Sequence, residues 1–145
     1  MKDYTKAIDA LDKAIALRPT VGAYLVNRGL SYRHLNNYDQ AIADYNKAID
    51  LSPDDAIAFN DRGYAYEKKG LFELALADYN RSLALDAKSV SAYVDRGNFY
   101  RHKGEFEKAL ADFDKALQLK PDNADAQEGK RLALARQTIP AKTEE

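Results

Sequence analysis

Ala41, Ile42, Tyr45, Ala48 and Ile49 follow one another at three- and four-residue steps, and polar residues fill the positions between them. That spacing puts the apolar side chains on one stripe of an α-helix. Similar stripes recur along the whole chain and predict helices at about 3–17, 22–35, 38–51, 55–69, 72–85, 89–103, 106–119 and 122–137. Breaker residues separate them. Lys-Gly before Leu71 and before Glu105 tolerates a left-handed backbone at a helix end, and Asn36-Asn37 does the same less comfortably. Pro19, Pro53 and Pro121 stop alternate helices, and Ala87 stands once where proline is expected. Asp54-Asp55 and Asp122 then set negative charge at the next helix start, where the dipole favours it.

The stripes also repeat with a fixed period. Gly29, Gly63 and Gly97 are 34 residues apart, as are Tyr32, Tyr66 and Tyr100. The same step joins Ala7, Ala41, Ala75 and Ala109, then Tyr4, Tyr38, Phe72 and Phe106, then Leu17, Leu51, Leu85 and Leu119. Tyr45, Tyr79 and Phe113 form a further series, and Phe59 and Tyr93 another whose first member is Leu25. A period of this length is the mark of stacked helical hairpins, none of which buries its apolar face alone.

These residues resemble the tetratricopeptide repeat family. Tyr24 to Tyr32, followed by Tyr38, Ala41, Tyr45, Ala48 and Pro53, matches its pattern, and the stretches Phe59–Ala87 and Tyr93–Pro121 match it again in phase. The resemblance implies an all-α fold, a right-handed α-solenoid of antiparallel helix pairs. It divides one domain, 1–137, into a lone second helix at 3–17, full repeats at 22–53, 56–87 and 90–121, and a capping helix at 122–137. Residues 138–145 are polar, contain a proline, and are expected to be a disordered tail.

Three departures from the pattern carry information. The helix 3–17 lacks its first-helix partner, so Ala7, Leu11 and Ala14 are expected to lose their usual cover. Gln127, Lys130 and Arg131 replace Tyr93, Arg96 and Gly97 in the last helix, as a polar cap requires. Arg28, Arg62 and Arg96 stand just before the glycines, and Asp44, Asp78 and Asp112 recur on the facing helices. The spacing predicts three structural ion pairs, Arg28–Asp44, Arg62–Asp78 and Arg96–Asp112. The equivalent position in the incomplete unit is Ala10, which has no arginine to pair with.

Composition narrows the function. Lys plus Arg total 22 against 23 Asp plus Glu, a net charge of −1, which gives no general attraction to nucleic acid or anionic lipid. There is no cysteine, so thiolate metal sites and cysteine nucleophiles are excluded. No apolar run is long enough for a membrane span, and the start of the chain lacks a signal-peptide apolar block, so a cytoplasmic protein is expected. His34 and His102 fall in equivalent slots two repeats apart, too far for one metal or proton relay. The glycines are single and phased, unlike a phosphate loop, and Asp54-Asp55 and Asp122-Asn123 read as helix starts, not calcium loops. The reading is a non-enzyme without metal or cofactor.

In the family the first helices line a concave groove that holds a peptide or partner protein. Carried onto this chain, the groove residues are Asn27, Leu30, Arg33, His34, Asn60, Asp61, Tyr64, Lys68, Asp95, Asn98, Arg101 and His102. Asn27, Asp61 and Asp95 form one row; Arg33, His34, Lys68, Arg101 and His102 form an opposing basic row, interrupted by Glu67. One branch of the family grips chaperone-tail carboxylates with Lys, Asn and Arg. Only Asn27 fits that set, while Ile57, Asp61, Ser91 and Asp95 occupy places where cations or amides belong, so a chaperone-tail clamp is not expected. The leading function is an interaction module or scaffold. Alternatives are the regulatory or targeting arm of a larger enzyme, and a structural element that self-associates through residues 3–17.

Overall fold

In the computed structural model, which describes residues 3–137, the apolar stripes become eight α-helices, with no strand among the described residues. They are α1 (Tyr4–Leu17), α2 (Gly22–His34), α3 (Tyr38–Leu51), α4 (Ala56–Lys68), α5 (Phe72–Leu85), α6 (Val90–His102), α7 (Phe106–Leu119) and α8 (Ala124–Gln137). The tail expected at 138–145, like residues 1 and 2, lies outside the described residues. The described residues fall into two compact units that divide between Ala87 and Lys88; the first carries α1 to α5 and the second α6 to α8.

Two kinds of helix end alternate. The chain leaves α2, α4 and α6 through a left-handed residue: Asn36 at φ 60°, Gly70 and Gly104 at φ 77°. The next amide reaches back to close the end, Asn37 to the Tyr32 carbonyl, Leu71 to Tyr66 and Glu105 to Tyr100, each at 2.9 Å. This is the Schellman arrangement, and glycine adopts it without the Cβ penalty that Asn36 carries. The helices α1, α3, α5 and α7 end instead in an extended residue, with φ between −138° and −143° at Arg18, Ser52, Asp86 and Lys120. Three of these precede a proline, whose ring excludes the helical region from the residue before it. Asp86 adopts the same conformation before Ala87, without a proline to impose it.

Within the first unit, α2 packs on α3 and α4 on α5, and each pair closes on a fully buried ring. Ala41, Tyr45 and Ala48 of α3 are 0% exposed, and so are Ala75 and Tyr79 of α5. Their counterparts on α1 differ. Ala7, Leu11 and Ala14 are only half-buried, Leu17 is 85% exposed, and Ile8 is the one buried residue of that helix. Among the described residues, α1 is covered by α2.

The second unit has Val94, Ala109, Phe113, Ala116, Ala126 and Ala133 at its centre. Asn123, placed by the sequence pattern inside the last helix, caps it: Asn123 Oδ1 accepts from the Ala126 amide at 2.8 Å. On the exposed side of α8, Arg131 donates two 2.7 Å hydrogen bonds to the Glu128 carboxylate. Arg131 stands in the slot that is glycine in the three repeats before it.

Candidate functional site

The arginine before each glycine is drawn inward by a carboxylate on the facing helix. Arg28 on α2 donates from Nε and Nη2 to Asp44 on α3, at 2.8 and 2.7 Å, and from Nη1 to Asp12 on α1 at 2.9 Å. Arg62 on α4 makes the same fork to Asp78 on α5, at 2.8 and 2.9 Å, and reaches Asn46 on α3 at 2.8 Å. In the second unit Arg96 forks onto Asp112 at 2.8 and 2.7 Å. The paired carboxylates raise all three guanidinium pKa values further, against the opposing effect of burial. Only a planar fork with fixed donors meets both carboxylate oxygens at once. Tyr32, Phe59, Tyr66, Tyr93 and Tyr100 lie within about 6 Å of these guanidinium groups and complete their surroundings. In each arginine Nε and Nη2 are turned onto the facing helix of the same hairpin.

The outer partners, Asp12 and Asn46, are absent from the sequence expectation. A signal for them exists: Asp12, Asn46, Asn80 and Asp114 bear side-chain oxygens at 34-residue steps. Lys130 takes the arginine slot on α8 and meets Asp114 at 2.7 Å.

The surface carried over from the family is less simple than two rows of charge. Arg33 on α2 and Asp61 on α4, assigned to opposite rows, are joined by a 3.3 Å hydrogen bond. The Arg33 guanidinium lies 4.5 Å from the centre of the Tyr64 ring, and Lys68 Nζ lies 5.2 Å from the same ring. One half-buried tyrosine thus carries two cations, one tied to a carboxylate and one exposed. Burial pushes the Asp61 carboxyl up, with Arg33 opposing. Asn60 is only 6% exposed and does not belong to the surface. Helical phase explains this: Asn60 follows Ala56 by one turn on the side that α4 turns inward. His34 is exposed and stacks on Tyr4 of α1, with ring centres 4.4 Å apart and planes inclined by 11°. Asn27 is exposed and Leu30 half-buried on α2.

On α6 in the second unit, Arg101 donates to Asn98 Oδ1 from Nε and Nη2, at 3.4 and 3.3 Å, and its Nη2 lies 3.1 Å from His102 Nε2. Asp95 is half-buried on the same helix. Among the described residues no group of three His, Cys, Asp or Glu is placed to hold a metal, and no helix is long and apolar enough to cross a membrane.

Beneath Arg33 lies an unmet hydrogen bond. The Tyr79 hydroxyl donates to Glu67 Oε2 at 2.7 Å. Tyr45, its counterpart one repeat earlier, is 0% exposed and its hydroxyl has no partner. Arg33 occupies the slot of Glu67, and a guanidinium cannot accept a hydrogen bond. Burial accordingly pushes the Tyr45 hydroxyl pKa well up. Tyr45→Phe is expected to raise stability by about 1 kcal/mol, since it deletes a desolvated, unsatisfied hydroxyl. Urea denaturation followed by circular dichroism checks this; a loss of stability would show that the hydroxyl is solvated.

Comparison with known proteins agrees with this architecture. A family model described as TPR repeat matches residues 29–70, and one described as tetratricopeptide repeat matches residues 63–133. No curated protein matches the chain. Among solved structures, the first TPR of Spaghetti (RPAP3) bound to the HSP90 peptide SRMEEVD is 28% identical, with a TM-score of 0.76 over 81% of this chain and 94% of that one. The first TPR domain of human RPAP3 is also 28% identical, with a TM-score of 0.77 over 82% of this chain and 94% of that one. The crystal structure of MamA is 26% identical, with a TM-score of 0.77 over 93% of this chain and 74% of that one.

Proposed function

Because the chain belongs to the tetratricopeptide repeat family, we propose that it is a non-catalytic interaction module whose α2–α4 surface holds an acidic peptide. The observation that carries this is the Tyr64 ring with Lys68 exposed beside it and Arg33 across it. A ring of this kind offers an apolar seat next to positive charge, which suits a carboxylate-bearing peptide with an adjacent apolar side chain. Asp61 already engages Arg33, whereas Lys68 is exposed beside the same ring. The Spaghetti domain is bound to a peptide rich in Glu and Asp. In this chain Ile57 and Asp61 stand where chaperone-tail readers need polar or cationic groups, so the partner is an acidic segment other than such a tail.

Affinity capture with mass spectrometry, run beside the Tyr64→Ala/Lys68→Glu double variant, tests the reading. Partners captured by the parent are expected to be lost with the variant while its thermal melt is unchanged. The same partners on both proteins would refute the surface. A titration with SRMEEVD is expected to show no saturable binding.

A second reading rests on α1. Its half-buried stripe of Ala7, Leu11 and Ala14 ends at Asp3 on one side and Arg18 on the other. An antiparallel register that sets Asp3 of one copy beside Arg18 of a second also sets Ala7 opposite Ala14. The stripe is therefore self-complementary, as a two-fold contact requires. Sedimentation is expected to show a mass that rises with concentration and falls to monomer in Leu11→Lys; a constant mass refutes it.

A further inference from the structure

The repeats themselves supply an internal comparison for a crevice on the first unit. In the second repeat Phe59 packs with the Arg62 guanidinium carbon 5.4 Å from its ring centre and that of Arg81 at 5.9 Å. In the third repeat Tyr93 holds the same slot, with Arg96 at 5.9 Å. In the first repeat the slot is Leu25, while both cations are kept, as Arg28 and Lys47. The aromatic ring is missing and its surroundings remain. In its place is a crevice of about 300 Å³, lined by the apolar Leu25, Ile15, Pro19 and Leu51 and by Arg28, Lys47 and Asp50.

We propose that this crevice receives an aromatic side chain from a partner polypeptide, seated between Arg28 and Lys47 as the Phe59 ring is seated between Arg62 and Arg81. Shape and charge both favour that occupant. Leucine leaves unfilled the flat volume that phenylalanine occupies one repeat later, and a cation over a ring face selects an aromatic over an aliphatic group of similar size. Leu51 at the mouth is 42% exposed, so the space opens to solvent. Arg28 is fixed by Asp44 and Asp12, which holds one wall before any ligand arrives. At 100° per residue, Leu25 and Arg28 lie on the side of α2 away from Asn27 and His34. The crevice is therefore separate from the acidic-peptide surface, and failure of one proposal leaves the other standing.

The probes are N-acetyl-phenylalaninamide and, as the aliphatic control, N-acetyl-leucinamide, titrated into methyl-labelled protein and followed by NMR. The aromatic amide is expected to shift the Leu25, Ile15 and Leu51 methyl signals saturably in the millimolar range, as suits a ligand of that size. The aliphatic amide should bind at least about threefold more weakly. Leu25→Phe should abolish the response and raise the melting temperature, because the chain then fills its own crevice. Lys47→Ala, an exposed change that leaves the core alone, should weaken binding about two- to fivefold. Equal binding of the two amides, a response that survives Leu25→Phe, or a lower melting temperature in that variant would each overturn the assignment.

Discussion

Asp78→Ala is expected to destabilise the first unit by about 3–5 kcal/mol, the cost of leaving a largely desolvated guanidinium without its carboxylate. Arg62 is 18% exposed and, among the described residues, would keep the neutral Asn46 as its hydrogen-bond partner. Asp44→Ala is expected to cost less, about 2 kcal/mol, because Arg28 retains Asp12 at 2.9 Å. The ordering of the two variants is the sharper test, since both remove a buried aspartate from the same slot of successive repeats. Replacing the pair together, Arg62→Met with Asp78→Leu, should return stability to within about 1 kcal/mol of the parent, for no buried charge is then left alone. Urea denaturation of the four proteins decides it. Equal losses in Asp44→Ala and Asp78→Ala would mean that the outer contact to Asp12 contributes nothing.

The second large effect concerns Gly129, in the middle of α8. Helix propensity alone says that Gly129→Ala should stabilise by about 1 kcal/mol. Packing says the reverse. A Cβ built there would lie 2.5 Å from both Cε1 and Cζ of Phe113, a ring that is 0% exposed. Gly97 is packed against the same ring edge, where a Cβ would lie 2.8 Å from Cε1, so the ring already sits tightly among neighbouring backbones. One edge of Phe113 is packed against two glycines, and overpacking of this kind costs about 1–3 kcal/mol. A net loss of about 1–2 kcal/mol is expected for Gly129→Ala. Phe113→Leu in the same protein should recover part of it, giving a non-additive double-mutant cycle. A stabilised Gly129→Ala would show that α8 slides to make room.

The helices were legible in the sequence to within a few residues, because three in-phase copies of one pattern average out local ambiguity. The ends were harder. The pattern begins the last helix at Asp122, whereas Asn123 caps α8 from outside, a distinction that turns on which side chain reaches the Ala126 amide. Arg–Asp pairing could be read because both partners recur at 34 residues, and a residue with no partner, Ala10, marks where the series stops. The candidate surface could not be read as well. Row-by-row charge assignment ignores that Arg33 and Asp61 sit on neighbouring helices at hydrogen-bonding distance. Nor does it register that Asn60 turns inward, or that His34 is taken up by the Tyr4 ring. Those facts depend on side-chain reach across an interface, and a one-dimensional period carries no information about reach.

The arginine forks have a consequence for how the first unit comes apart. Arg28 spans α1, α2 and α3, and Arg62 spans α3, α4 and α5, so α3 is gripped from both sides. In a linear array each repeat is stable in proportion to its coupling to the next, and these forks are part of the coupling. Opening should therefore begin at α1, which has one neighbour and one buried residue, and meet its steepest barrier at α3. Amide exchange would register this as a gradient, with early loss of protection along α1 and late, concerted loss from α3 onward.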